Sequence, residues 1–175
     1  ILDKFKGSNI YYWHDVGRHK HLWGHLMAGG AGVEWYFGYK FVHNDLNCED
    51  WRSRDHLWDL TRYALDFFHK HLPFTEMAHH DELISAKDGY CFAKPGQIYA
   101  IYLPKGGTTN LNLDDHSATF TVQWFIPRRG GELQNGTKTE ITGPGEVDIG
   151  QPPNDPGKPA RPPAGGDWIA LIKLK

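Results

Sequence analysis

The spacing of apolar residues changes near residue 80, and this change constrains the fold more than any other feature of the sequence. From Leu83 onward apolar residues recur at every second position, and turn residues recur at short intervals, which is typical of β-strands. The clearest strand is Thr119 to Ile126, where four large apolar residues alternate with polar ones. About eight short strands fit into roughly ninety residues, which is typical of an antiparallel β-sandwich.

Two segments of this second half carry further signals. Lys94-Pro95-Gly96-Gln97 separates two apolar runs, and Pro followed by Gly suits a type II turn, so we predict a hairpin. Trp168 to Leu174 is apolar at nearly every position, which predicts a central strand buried on both faces. Pro127 to Gly131 predicts a turn in which Arg128 and Arg129 are solvated. Further strands are predicted at 109–113, 137–142 and 146–149, and a Pro- and Gly-rich loop at 151–166.

The first half of the chain is predicted to be largely helical. Asp55 to Leu72 has an apolar stripe at helical spacing and is stopped by Pro73, so we predict a long helix there. His19 to Met27 is predicted as a second helix, and Asn9 to Trp13 as a short strand. The fold class is therefore α+β, mainly β, with a helical and strand segment at 1–80 and a β-sandwich at 81–175.

Gly29 to Tyr39 is a glycine-rich run followed by aromatic residues with one carboxylate among them. The pattern predicts a buried strand from Val33 to Phe37, in which Glu34 and Tyr36 share one face. Because a carboxylate is almost never fully buried unless it is paired, Glu34 either has a partner or lines a polar cavity. A polar loop, His43 to Trp51, follows. The order helix, strand, loop, helix is typical of an α/β barrel, where such loops carry the chemistry.

Composition excludes several classes of function. A net charge of −2 gives no reason to expect a nucleic acid or an anionic membrane, both of which bind a basic face, so we predict neither as partner. No stretch of eighteen apolar residues and no signal-peptide core is present in this sequence. The chain has seven Trp, eight Tyr and nine Phe. Aromatic residues dominate packing in a large core, and they also stack on sugar rings; the core is the favoured interpretation.

The sequence does not predict a metal site. His21 and His25 are four residues apart, but the residue after His21 is Leu where a zinc-protease helix has Glu. From Asp45 to Asp50, side chains with oxygen atoms that could bind calcium occur at alternate positions. The segment lacks the glycine and the distal glutamate of a calcium loop. We therefore predict no metal and no cofactor. Cys48 and Cys91 are the two cysteines, and whether they pair stays open.

Both halves resemble known families. His21–Tyr39 and His43–Trp51 resemble the last strand and loop of a glycoside-hydrolase-like TIM barrel. Leu83–Lys175, through Gly89–Gln97, Ile98–Pro104 and Trp124–Arg128, resembles the small β-domain that follows such barrels, labelled a "putative collagen-binding domain of a collagenase". The resemblance covers roughly residue 19 to the end. A complete barrel needs about 250 residues and eight strands, and this chain has room for one or two of those strands.

The resemblance implies a carbohydrate-active protein that is extracellular or periplasmic, acting on an oligo- or polysaccharide. It implies Glu34 as a catalytic carboxylate. It also implies substrate contacts from Tyr36, Tyr39, His43, Asn44, Asp45 and Trp51. Because most glycoside hydrolases use two carboxyl groups, the chain is not expected to be catalytic alone. The alternative is a module that binds collagen or another extracellular protein, and a third hypothesis is a homodimer formed through the exposed aromatic strand.

Overall fold

A computed structural model describes residues 10–36, 54–154 and 166–175. Its helical part consists of α1 (Ile10–Gly17), a π-helical turn (Arg18–Leu22), α2 (Trp23–Met27) and α3 (Asp55–His71). Short 3₁₀ turns occupy Phe74–Glu76 and Asp81–Leu83. The strands are β1 (Ala78–His79), β2 (Tyr90–Lys94), β3 (Ile98–Leu103), β4 (Asn110–Asn112), β5 (Thr119–Phe125), β6 (Glu140–Thr142), β7 (Glu146–Asp148) and β8 (Trp168–Leu174).

The strands form two antiparallel sheets, which confirms the predicted class. Six strands pair in the order β1-β2-β3-β8-β5-β6, and β4 pairs with β7 in a second sheet. The last strand of the chain, β8, lies between β3 and β5. Trp168 to Ile172 are buried, as expected of a strand covered on both faces. The prediction of a central strand at 168–174 is therefore confirmed.

The predicted hairpin joins β2 to β3. Its turn is closed by the Gln97 amide, which donates to the Lys94 carbonyl oxygen over 3.0 Å. Gly96 has a φ of +78°, a backbone conformation that glycine adopts at no steric cost. The Gly96 amide also donates to the Tyr99 hydroxyl over 2.6 Å. These contacts hold the register in which Tyr90 lies opposite Tyr102.

The six-stranded sheet is the middle of three layers. Alternate residues of β5 and β8, such as Val122 and Ile172, face a core shared with the β4–β7 sheet. Residues that point to the other side of these strands, such as Phe125 and Leu171, face a second core. That second core is completed by α2 and α3. Because successive side chains of a strand point to opposite faces, one sheet serves both cores.

Helix α3 forms where its apolar stripe predicts it. Leu57, Leu60, Ala64, Phe67 and Phe68 are its buried residues. The helix ends at His71 because Leu72 is extended, with φ −117° and ψ 134°, and the residue before a proline avoids the helical region.

Two local predictions are wrong. The strand proposed at Asn9–Trp13 is helical from Ile10 onward, because tertiary context overrides the β-propensity of aromatic residues. The strand proposed at Val33–Phe37 is absent over its described residues 33–36. Within the part of the chain that the structure describes, no strand pairs with them; instead the Trp35 indole N–H donates to the Thr61 hydroxyl on α3 over 2.8 Å. The homodimer expected through this aromatic segment stays a prediction.

Phe67 and Leu65 offer a matched test of the helix–sheet core. Phe67 is 1 % exposed, whereas Leu65 on the same helix is 37 % exposed. Phe67→Ala should lower the free energy of unfolding by about 3–5 kcal/mol, and Leu65→Ala by no more than about 0.5 kcal/mol. Urea unfolding followed by circular dichroism measures both. Equal effects of the two substitutions would contradict the packing of α3 on the sheet.

Candidate functional site

A cluster of buried charges lies where the helices meet the six-stranded sheet. Asp167 directly precedes β8, and Arg18 begins the π-helical turn; both are 0 % exposed. The Arg18 Nε donates to Asp167 Oδ2 over 3.0 Å, and its Nη2 donates to Oδ1 over 3.3 Å. The pair is therefore bidentate, the geometry in which guanidinium and carboxylate interact most strongly.

Two more side chains complete the coordination of Asp167. Arg128 donates from Nη1 to Asp167 Oδ1, and the Tyr102 hydroxyl donates to Oδ2 over 3.1 Å. Asp15 accepts from Arg18 on its other side. Two guanidinium groups thus face two carboxylates. A buried charge is tolerated only when it is paired and hydrogen-bonded, and this cluster meets both conditions.

The pKa values in the cluster follow from these contacts. Burial, followed by the charge of Asp167, raises the pKa of Tyr102 well above its ordinary value. Burial would lower the pKa of Arg18, but Asp167 and Asp15 outweigh it and raise that pKa. Burial would likewise raise the pKa of Asp15, but the His56 hydrogen bond and the Arg18 charge keep it below its ordinary value. Arg18 and Asp15 therefore keep their charges at neutral pH, and Tyr102 keeps its proton.

The local helix geometry brings Arg18 to the sheet. A π-helical turn has more residues per turn than an α-helix, and such turns are frequent at functional sites. Within this turn Arg18 and Leu22 are the buried residues, followed by Trp23, which stacks on Tyr102 with ring centroids 5.7 Å apart. The turn thus places the Arg18 guanidinium and the Leu22 and Trp23 side chains on the buried side of the helical segment.

A pair of histidines lies beside the charge cluster, between α1 and α3. His14 is 1 % exposed, and its ring centroid is 5.8 Å from that of His56. His56 Nε2 is 3.6 Å from Asp15 Oδ1. Burial, and then the charge of His56, lowers the pKa of His14 to about 4. His14 is therefore neutral at physiological pH.

Glu34, the predicted catalytic carboxylate, lies in a shallow depression on the helical side of the molecule. Its side chain is exposed. The depression is lined by Lys20, His21, His25, Gly32, Val33, Glu34 and Trp35. Among these described residues there is no second carboxylate, so the structure brings Glu34 close to imidazole and ammonium groups rather than to another acid.

Of the other predicted substrate contacts, Tyr36 is the one that lies within the described residues. Tyr36 is 67 % exposed, next to the Glu34 depression in sequence. Tyr39, His43, Asn44, Asp45 and Trp51 lie outside the described residues. Their roles in substrate binding stay predictions.

Within residues 10–36, 54–154 and 166–175, no three or more His, Cys, Asp or Glu residues are grouped so that they could hold a metal ion. No helix of this part of the chain is both long and apolar enough to cross a bilayer. Cys91 is a buried free thiol whose pKa is raised by burial. Cys48 lies outside the described residues.

Sequence reasoning missed the charge cluster. It predicted that Arg128 is solvated, whereas the Arg128 side chain is 7 % exposed and contacts Asp167. The correction has a physical cause, since a turn residue can reach across a sheet edge to a carboxylate 39 positions away. One signal was available: Asp167 immediately precedes a run of apolar residues predicted to be buried on both faces, so it was a candidate for a buried charge.

The exposed apolar side chains are unevenly distributed. Over the described residues, the large exposed hydrophobic side chains are Tyr36, Trp58, Leu65, Phe74 and Leu174. None of them lies within residues 77–172. The sandwich therefore presents no exposed aromatic platform in its described part.

Comparison with known proteins gives one family and a set of related folds. A family model described as "Putative collagen-binding domain of a collagenase" matches residues 77–172. A solved structure titled "Glycoside hydrolase" is 15 % identical over 92 % of this chain and 37 % of that chain, with a TM-score of 0.63. A glycoside hydrolase family 5 protein from Bacteroides vulgatus is 13 % identical over 91 % and 36 %, with a TM-score of 0.64. A search of curated proteins found no match.

These matches differ in what they establish. The two structures share the fold of this chain, at identities that carry no argument about activity. The chain spans a little over a third of their length. The resemblance is therefore confirmed: the β-domain matches the family model, and the chain shares its fold with part of two solved glycoside hydrolases.

Removing the central carboxylate should destabilise the fold strongly. Asp167→Asn keeps the side-chain shape but removes the buried carboxylate that Arg18 and Arg128 share, so we expect a loss of about 3–5 kcal/mol. Glu140→Gln breaks the exposed 2.8 Å pair with Lys175 and should cost no more than about 1 kcal/mol. Chemical unfolding measures the free energy of unfolding of both variants. If Asp167→Asn lowers it no more than Glu140→Gln does, the charge cluster does not stabilise the fold.

The His14 environment predicts a dependence of stability on pH. Its folded pKa of about 4 lies below the ordinary value of 6.5, so the unfolded state binds more protons between these two values. The stability contribution is complete above pH 6.5 and is lost as pH falls toward 4, by on the order of 3 kcal/mol. Urea unfolding at intervals from pH 4 to 7 measures this slope.

The control for this prediction lies on the exposed side of α3. His14→Gln should flatten the slope between pH 6.5 and 4, whereas His69→Gln, at an exposed position, should leave it unchanged. Identical slopes in the wild type and in His14→Gln would refute the assignment.

Proposed function

The chain belongs to the family described as the "putative collagen-binding domain of a collagenase", and we propose that it is the C-terminal region of a carbohydrate-active, glycoside-hydrolase-like protein. In this proposal the β-sandwich is an accessory domain that holds the adjoining helices in a fixed position. The catalytic cleft is completed by protein beyond this chain. The parent protein acts on an oligo- or polysaccharide in an extracellular or periplasmic location.

The observation that carries the accessory role is the completeness of the helix–sheet contact. One face of the six-stranded sheet is buried under α2 and α3, and the Arg18–Asp167 pair within that contact is 0 % exposed on both sides. Contacts between independently moving domains are more polar than a domain core. A contact that buries aromatic rings and a dry ion pair instead supports a fixed arrangement of helices and sheet.

The carbohydrate side of the proposal is supported by the matched structures, both titled as glycoside hydrolases and both more than twice the length of the matched region. The protein beyond this chain would supply the remaining walls of a sugar-binding cleft. In that setting Glu34 is the proposed catalytic carboxylate of the portion seen here. Tyr36, Tyr39, His43, Asn44, Asp45 and Trp51 are its proposed substrate contacts.

The geometry around Glu34 supports a chain that does not cleave glycosides by itself. Glycosidic cleavage by the common mechanisms needs two carboxyl groups, about 5 Å apart for retention or about 6.5–9.5 Å apart for inversion. The described lining of the Glu34 depression offers one carboxylate beside Lys20, His21 and His25. The side chain is exposed, so water is not excluded and a sugar is not oriented there.

A second candidate function, collagen binding, is favoured by the family description alone. A triple helix is a long rod, and its recognition calls for an extended groove with exposed aromatic or apolar side chains. The described part of residues 77–172 has no large hydrophobic side chain exposed. The accessory role is therefore the better supported of the two.

The absence of hydrolysis by the isolated chain is directly testable. Aryl-glycosides and neutral polysaccharides, incubated with a high concentration of the chain, should give no turnover above the buffer rate. A complete family 5 glycoside hydrolase serves as the positive control. The proposal fails if the chain releases product and Glu34→Gln abolishes that release.

A further inference from the structure

The loop between β5 and β6 contains a chemically reactive pair of residues. Of the seven asparagines in the sequence, Asn135 alone is followed by glycine. The backbone nitrogen that follows an asparagine can attack the carbonyl carbon of its side chain, because the ring that forms has five members. A side chain on the following residue hinders this attack, and Gly136 has none.

The side chain of Asn135 is accessible to water. It is exposed, and within the described part of the chain it makes no hydrogen bond. The two asparagines of β4 differ from it. Asn110 Nδ2 donates to Glu146 Oε1 over 3.3 Å and Asn112 Nδ2 donates to Asp114 Oδ1 over 2.9 Å, and each is followed by leucine.

The backbone amide of Gly136 is also available. On one side of it the Gln134 amide donates to the Trp124 carbonyl oxygen over 2.8 Å, and on the other the Thr137 amide donates to the Gln151 carbonyl oxygen over 2.9 Å. Between these two anchors the Gly136 amide meets no hydrogen-bond acceptor among the residues that the structure describes. An amide proton without an acceptor is removed by base more easily, and the nitrogen that remains is the attacking atom.

Asp88 and Gly89 form a similar pair in which both conditions fail. The Gly89 amide donates to the Ala86 carbonyl oxygen over 3.1 Å. The Asp88 carboxylate accepts from Lys105 Nζ over 2.7 Å, and this hydrogen bond holds the pKa of Asp88 below its ordinary value. The carboxylate therefore stays ionised and resists attack, so this pair is an internal comparison for Asn135.

Packing explains why a glycine follows Asn135. A Cβ at position 136 would lie 2.2 Å from the Gln151 carbonyl oxygen and 2.4 Å from Trp124 Nε1. A larger residue would require this part of the sandwich to shift. The contact that requires glycine therefore also maintains the reactive Asn-Gly pair.

We propose that Asn135 is a site of spontaneous covalent modification, at which the folded chain converts asparagine to aspartate and isoaspartate. The Gly136 nitrogen forms a bond to Asn135 Cγ, the bond from Cγ to the side-chain nitrogen breaks, and ammonia leaves with the Gly136 amide proton. Water then opens the succinimide ring at one of its two carbonyl groups. Opening at one carbonyl gives aspartate, and opening at the other gives isoaspartate, in which the backbone runs through Cγ. This inference goes beyond the proposed function and does not rest on it.

Isoaspartate would disturb the loop and the core beneath it. It adds one methylene group to the backbone between the Gln134–Trp124 and Thr137–Gln151 hydrogen bonds, so the two cannot both keep their present geometry. Trp124 is 0 % exposed and belongs to the core of the sandwich. Its indole nitrogen is buried, and within the described residues it has no hydrogen-bond partner. We therefore expect the Trp124 indole to report the modification.

Mass spectrometry of the aged chain tests the proposal. The folded chain is incubated for several days in mildly alkaline and in mildly acidic buffer, and is then digested with trypsin. Peptide 130–138 should gain one dalton, separate into two forms on chromatography, and accept a methyl group from protein isoaspartyl methyltransferase. It should convert at least about tenfold faster than peptide 106–128, which holds Asn110 and Asn112, and the isoaspartate signal of peptide 88–105 should stay at its starting level. Conversion should be faster in the alkaline buffer, because the Gly136 nitrogen must lose its proton.

Two variants separate the chemistry from its structural effect. Asn135→Gln should abolish the mass gain, since the longer side chain would have to form a six-membered ring. Asn135→Asp carries the charge of one product on an unaltered backbone. The aged wild type should show a second indole resonance for Trp124 in its nuclear magnetic resonance spectrum, whereas freshly prepared Asn135→Asp should show one. Circular dichroism checks that both variants fold.

Three results would overturn the proposal. The first is a folded chain without a mass gain on peptide 130–138, under conditions in which the free synthetic peptide converts. The second is an equal gain in Asn135→Gln, which would place the reaction elsewhere. The third is isoaspartate at position 135 with an unchanged Trp124 resonance, which would refute the coupling to the core. None of these results bears on the hydrolysis assay, so the proposed function is tested separately.

Discussion

The carboxylate of Asp167 is buried between the guanidinium groups of Arg18 and Arg128, and the contact between helices and sheet depends on it. These charges would be unstable in an apolar contact if any one of them lacked its partner. Because Arg18 lies on the helices and Asp167 lies next to the central strand, the pair also fixes their relative position. Apolar packing alone tolerates sliding, whereas a bidentate pair has one geometry.

The three-layer arrangement limits what the sandwich can do. The face of the six-stranded sheet that an isolated sandwich would expose is covered by α2 and α3, and the opposite face is covered by the β4–β7 sheet. Neither face of the six-stranded sheet is therefore open to a large ligand, and the Glu34 depression lies on the helical side. This arrangement supports an accessory domain that positions neighbouring structure.

The strands were predictable because each carries its signal locally. The alternation in β5, the Pro-Gly turn before β3 and the apolar run of β8 each depend on residues within one short segment. The Val33–Phe37 prediction failed because a strand also requires a partner for its backbone hydrogen bonds, and sequence does not show whether one is present. Arg128 was misread for a related reason. Its turn was recognised, but its contact with Asp167 spans 39 positions along the chain.

The sequence by itself determined the spacing of apolar residues in each segment, the turns, the helix α3 and the order of elements. These features depend on residues only a few positions apart. It also determined the near-neutral net charge of −2, which gives no reason to expect a nucleic acid or a membrane as partner. Only the tertiary structure decided which charges are buried and that one sheet serves two cores. The physical reason is distance along the chain: Arg18 and Asp167 are 149 positions apart, and no local pattern records that they meet.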